Sequence, residues 1–237
     1  SKLGLSVEKP NLGPWERVVQ GLSKPKFGEV DIAVVGKYVD LQDSYKSLTE
    51  ALIHGGISND VRVNIHWLDA GALEDGEGLS DLNRYNGILV PGGFGERGIE
   101  GKIKAIQYAR ENKVPFFGIC LGMHCAVIEF ARSVVQLRKA NSAEFAPNTP
   151  DPVIDLLYDQ DIKGDKGGTM RLGEYCCQLR KNSNAFKAYG VREVFERHRH
   201  RYEFNNRYRI QLEEAGLKFS GLSPNGNLVE IIELESH

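Results

Sequence analysis

A chain of 237 residues, 41% hydrophobic and 26% charged, suits one large α/β domain or two small ones and holds enough apolar material for a real core. A net charge of −2 gives no electrostatic reason to bind nucleic acid or a membrane, and the longest apolar runs are too short to span a bilayer. The opening SKLGLSVEKP lacks the apolar segment of a secretory leader, and the four cysteines form no CxxC pair, so the expectation is a reduced, cytoplasmic protein without a metal site.

Residues 1–27 carry Pro10, Pro14 and Pro25 around an amphipathic piece, Trp15 to Leu22. They read as a linker with one short helix, as though another domain preceded it. From 28 to 237 the grammar is that of a folded domain. VDIAVVG (30–36) is a buried strand closed by Gly36, and DSYKSLTEALIHGG (43–56) a helix capped by Asp43 or Ser44 and stopped by Gly55 and Gly56. RVNIHWLD (62–69) alternates as a second strand, and NGILVPGG (86–93) is a third that runs into a glycine-rich turn. Residues 99–113 place Ile99, Ile103, Ile106 and Ala109 on one helical face, VPFFGIC (114–120) is a fourth strand, and a helix follows over 123–134.

Strands alternating with helices at this spacing predict a doubly wound, mostly parallel α/β sheet, which collects ligands at the carboxyl ends of its strands. The second half reads as further strands, antiparallel in character, added onto the same domain. They are GGTMRLGEYCCQLR (167–180), the basic VFERHRHRYEF (194–204) and LVEIIEL (228–234), with a short helix at 206–215. Cys176 and Cys177, if on a strand, point to opposite faces.

GICLG (118–122) is a G-x-C-x-G sequence at a strand-to-helix junction, the pattern of a nucleophile elbow. The glycines let strand and helix approach closely, the cysteine side chain is held out at the apex, and the helix N-terminus favours the reactive thiolate. The bland alternative is a buried cysteine ending a core strand. PGGFGERG (91–98) follows the neighbouring strand and supplies backbone N–H donors, so Gly93 and the amide of Leu121 are the candidate oxyanion hole; its own bland reading is a chain reversal. His124 lies one turn beyond Cys120, which raises a Cys120–His124 dyad, although the elbow residue precedes the helix proper. Taken alone, RHRHR (197–201) is a solvated basic strand or an anion-binding patch, and Glu144 a surface glutamate.

GICLGM, PGGFGERG, ANSAEF, GGTMRLG and ERHRHRYE together resemble the glutaminase domains of the CTP synthase family, which are class I glutamine amidotransferases. The resemblance runs from about Lys9 to His237. It implies that Cys120 attacks the side-chain amide of L-glutamine, that the oxyanion rests on the amides of Gly93 and Leu121, and that ammonia leaves a γ-glutamyl thioester for water to hydrolyse. It implies that Glu144 binds the substrate amino group and Arg201 its carboxylate, and that the 167–173 loop, through Thr169 and Arg171, serves activation by GTP. The domain itself would need no cofactor. A synthetase domain before Ser1 would use ATP and Mg2+ to convert UTP to CTP with the ammonia, in a protein that is a homotetramer when whole; this fragment could be monomeric.

Two departures stand out. The family's elbow continues Gly-Met-Gln, where this chain has His124, so His124 takes the place of a residue that contains the substrate. The family's catalytic histidine and glutamate stand in an FHPE motif that these residues do not include, since His237 aligns with an earlier histidine. The expectations are that the natural protein continues past His237 with that motif, and that this chain hydrolyses glutamine poorly, since an acid–base group is worth about 10²–10⁴-fold. His198 and His200 share one face of their strand and read as structural or ligand-adjacent. A γ-glutamyl hydrolase and a non-catalytic glutamine-binding module are the alternatives.

Overall fold

The computed structural model describes residues 11–37, 42–156 and 170–235. The amphipathic piece near the start forms α1 (Gly13–Ser23), which leaves Trp15, Val19 and Leu22 exposed and packs against a later helix. The continuous apolar run that follows is β1 (Glu29–Gly36), whose Ala33, Val34 and Val35 are wholly buried. A 3₁₀ turn at Gln42–Tyr45 leads into α2 (Lys46–Ser58). The helix therefore starts later than its Asp43 or Ser44 signal predicts, with Tyr45 in the cap position, and it continues through Gly55 and Gly56. A Cβ on Gly56 would lie 2.7 Å from the Val61 carbonyl oxygen, so that glycine serves close packing and not termination.

β2 (Arg62–Asp69) is followed by α3 (Ala70–Glu74), and β3 (Gly87–Val90), buried along its whole length, by α4 (Ile99–Asn112). The predicted face of α4 is the buried one: Ile99, Ile103, Ile106 and Ala109. β4 (Phe116–Gly118) runs through Ile119 and Cys120 into α5 (Leu121–Ser133), which begins directly after the cysteine. These four strands form a parallel sheet in the order β2-β1-β3-β4. The helices pack in two groups, α1 on α2 and α3 and α5 on α4.

The second half holds strands that the sequence reading does not identify. β5 (Ala140–Ser142) and β6 (Asp151–Leu156) are parallel neighbours. β7 (Arg171–Leu179), α6 (Asn184–Tyr189) and β8 (Glu193–His200) form an antiparallel unit. β9 (Tyr202–Phe204) is followed by a 3₁₀ turn and α7 (Arg209–Glu214), then by β10 (Leu217–Leu222) and β11 (Val229–Leu234). The strand predicted over 194–204 is thus two strands in two sheets. β8 belongs to the antiparallel sheet β11-β10-β7-β8, and β9 pairs with β6 in the sheet β5-β6-β9. Arg201 is the residue between them. The main core is continuous across both halves, with Val35, Val90 and Ile128 in one cluster with Phe204, Leu212 and Phe219. Among the described residues, no helix is long and apolar enough to cross a membrane.

Candidate active site

The G-x-C-x-G sequence folds as it does because β4, β3 and α5 approach closer than side chains allow. A Cβ on Gly122 would stand 2.2 Å from the Val90 carbonyl oxygen, and one on Gly118 would stand 2.7 Å from the Gly122 carbonyl group. Between them Cys120 takes φ 55° and ψ −107°, a conformation that costs a non-glycine residue of order 1–3 kcal/mol. The bend is braced by backbone bonds: Ile119 N–H donates to the Val90 oxygen at 2.9 Å, and His124 N–H donates to the Cys120 oxygen at 3.1 Å.

The apex thiol lies beside two backbone amides, those of Leu121 and Gly93, whose N–H groups pull its pKa down. These are the two donors predicted for the oxyanion hole. Burial pushes the Cys120 thiol up, more than the two amides pull it down, and the Glu203 and Glu144 carboxylates push the same way.

The loop after β3 turns at Gly95 (φ 77°) and Gly98 (φ 73°), conformations that favour glycine. Gly95 N–H donates to Glu144 Oε1 at 3.3 Å, and Glu144 N–H donates to Ser142 Oγ at 3.1 Å, so the β5 segment holds Glu144 against the loop. Gly93, Cys120, Leu121, His124, Glu144 and Arg201 all line one cavity of about 360 Å³, together with Phe94, Met170, Arg199, His200 and Tyr202. Arg201 Nε is buried and has no hydrogen-bond partner among the described residues, an orphan cationic donor at the cavity.

His124 is buried beside the His200 ring, 6.1 Å between centroids, and burial with that neighbour pulls its pKa down to about 3. It is a neutral imidazole, and no hydrogen bond joins it to Cys120 among the described residues. The dyad is not what the geometry assembles.

Arg171 lies inside the protein, not on a polar loop surface. Its Nε donates to Glu203 at 2.9 Å, and Nη1 and Nη2 donate to Glu230 at 2.6 and 3.0 Å. His200 Nδ1 is 3.4 Å from Arg171 Nη2 and 3.3 Å from His198 Nδ1, which confirms that the two histidines share a face. Burial, with the Glu230 carboxylate alongside, pushes Glu203 up to about 7 against the pull of Arg171, and burial with Arg171 pulls His200 down to about 4. Thr169 and Gly167–Gly168 lie outside the described residues. The sequence reading missed Glu203, Glu230 and the Arg199 guanidinium standing 5.4 Å from the Phe94 ring centre at the cavity wall. For the carboxylates the signal was alternation in LVEIIEL and the glutamate that follows RHRHRY.

A strained cysteine at a strand–helix elbow, with its sulfur beside two amides, is by fold and site a cysteine-nucleophile α/β enzyme. Comparison with known proteins narrows this: the family described as glutamine amidotransferase class-I matches residues 40–237, and the chain belongs to that family. Within it, the chain is 58% identical over 236 residues to the CTP synthase of Syntrophus aciditrophicus and 58% identical over 236 residues to that of Carboxydothermus hydrogenoformans. Nearly all of this chain is covered in both cases, but only 44% of each relative. Among solved structures it is similar to the Trypanosoma brucei CTPS glutaminase domain with bound acivicin, at TM-score 0.80 and 40% identity over 87% of this chain and 81% of that one. The chain is the glutamine amidotransferase portion in the CTP synthase manner, and the alternative elbow hydrolases are not favoured.

Proposed function

We propose that this chain hydrolyses L-glutamine to glutamate and ammonia, and that the ammonia serves a synthetase portion of a longer protein that aminates UTP to CTP with ATP and Mg2+. The observation that carries the glutaminase step is the convergence of Cys120, two amides beside its sulfur, a carboxylate (Glu144) and a guanidinium whose buried Nε lacks a partner among the described residues (Arg201) on one cavity. A free amino acid offers the matching groups: an ammonium for Glu144, a carboxylate for Arg201, and a side-chain amide that reaches the elbow. His124, neutral and buried, is a hydrogen-bonding wall where the family resemblance implies a glutamine.

In this reading the Cys120 sulfur attacks the amide carbon, and the C=O electrons move onto the oxygen, which takes the N–H groups of Gly93 and Leu121. Collapse breaks the C–N bond, the nitrogen takes the proton that the thiol gave up and leaves as ammonia, and a thioester remains. Water adds to that thioester, expels the thiol and completes glutamate. Substrate binding also prepares the nucleophile: an ammonium seated on Glu144 cancels one of the charges that hold the thiol protonated. The described residues place no histidine on the Cys120 sulfur. We propose that GTP acts near residues 167–173 and that the whole protein is a cytoplasmic tetramer.

The test is covalent. Acivicin, the molecule bound in the Trypanosoma glutaminase domain, is expected to label this chain once, at Cys120, with L-glutamine protecting and Cys120→Ser abolishing the adduct by mass spectrometry. Labelling elsewhere, or none, refutes the reading.

A further inference from the structure

Lys37 follows directly on β1, yet its side chain is turned inward and is only 7% exposed. Lysines are almost never this buried without a reason, because their ammonium is expensive to desolvate. Here burial lowers its pKa, opposed by the Glu144 and Glu96 carboxylates. The ammonium donates to the Phe94 carbonyl at 2.8 Å and also to that of Gly95. Both residues are otherwise exposed parts of a glycine-rich loop outside any strand or helix.

The Phe94 carbonyl and the Gly95 N–H belong to one planar peptide unit and point in opposite directions. Holding the oxygen on Lys37 therefore aims the N–H the other way, and that N–H is the one bonded to Glu144 Oε1 at 3.3 Å. We infer that Lys37 is a positioning residue for substrate recognition: through the 94–95 peptide it orients Glu144 to receive the α-ammonium of an amino-acid substrate. The inference rests on the glutaminase reading above. It assigns Lys37 to binding and not to the chemical step, because Cys120 is held by the elbow, whose bracing bonds do not involve Lys37.

The test measures acivicin inactivation of the full 237-residue chain as a function of concentration, for wild type, Lys37→Met, Glu144→Gln and the double variant. The expected result for Lys37→Met is about a tenfold weaker apparent affinity, an inactivation rate at saturation within about threefold, and an unchanged alkylation rate with iodoacetamide, which has no amino group. In the Glu144→Gln background the same change should add little, since the two act through one path. A lower saturating rate with unchanged affinity overturns the inference, and so does tighter binding, which would make charge repulsion the main effect of Lys37. Equal losses with both reagents reduce Lys37 to a structural role. Should Lys37→Met fail to fold, Lys37→Gln is read by the same criteria. Failure of the wild type to be labelled refutes the glutaminase reading instead, and is recognised separately.

Discussion

The two flanks of the cavity are held by opposite means. On the elbow side, Gly122 lies tight against the Val90 backbone and Gly118 against that of Gly122, and the functional donors are main-chain amides. On the antiparallel side the supports are side chains: Arg171 binds Glu203 and Glu230, whose side chains are only 3% and 4% exposed, with His200 against its guanidinium. The first arrangement is rigid because interiors are close-packed, and it has no tolerance for added volume. The second is paid for in desolvation and responds to protonation. The difference predicts that the elbow flank breaks under steric change and the charged flank under charge change.

The largest effect is expected from Gly122→Ala. The new methyl would sit 2.2 Å from the Val90 oxygen, which cannot withdraw easily because it accepts the Ile119 N–H. Overpacking of this kind costs more than about 3 kcal/mol when the obstacle is backbone. Circular dichroism melting should show a protein unfolded or nearly so, with no acivicin adduct. A wild-type melt with retained labelling would show that the elbow can open, and the contrast between flanks would fall.

Next is Arg171→Met, which leaves two carboxylates buried with no cation bonded to them. Breaking a buried pair in this way costs about 3–5 kcal/mol. The penalty belongs to charge, so urea midpoints should recover toward wild type as the pH is lowered from 7 to 5 and Glu203, pushed up to about 7 by burial, takes up its proton. Adding Glu203→Gln and Glu230→Gln should restore most of the loss at pH 7. A deficit of the same size at both pH values would mean that Arg171 acts by packing, like the elbow glycines.

The same division governs what could be read in the sequence. Glycine spacing at a strand–helix junction has one steric meaning, so the elbow, the Gly93 and Leu121 donors and the parallel sheet were legible in GICLG and PGGFGERG. Glu144 and Arg201 became legible only through resemblance to a family, because an isolated glutamate or arginine is usually on the surface. The charged flank was not legible. Arg171, Glu203 and Glu230 meet across 59 residues of chain, and no local pattern reports such a meeting. RHRHRYEF looked like one strand because its alternation is continuous, whereas tertiary pairing splits it at Arg201 between two sheets. Lys37 carried no signal, since its burial depends on a loop that is more than 50 residues away.

The smallest effect concerns His124, the residue where the flanks meet. Its pKa is about 3 in the folded chain against an ordinary 6.5, and that of His200 is about 4. For both, the unfolded chain binds a proton more readily, so their contribution to stability is complete above pH 6.5 and is lost as pH falls through about 4 and then about 3. Glu203 runs the other way. With a folded value of about 7 against 4.5, its contribution is complete below pH 4.5 and is lost as pH rises through 7. His124→Gln removes one acid-side contribution and leaves the rest. Between pH 7 and pH 5.5 the variant should lose less stability than wild type, by on the order of 1 kcal/mol, in urea melts at the two pH values. Glu203→Gln should instead gain relative to wild type as pH rises from 5.5 to 8. If His124→Gln follows the wild-type pH profile, the imidazole takes up its proton as easily folded as unfolded, and His124 belongs with the charged flank as an ordinary titrating group.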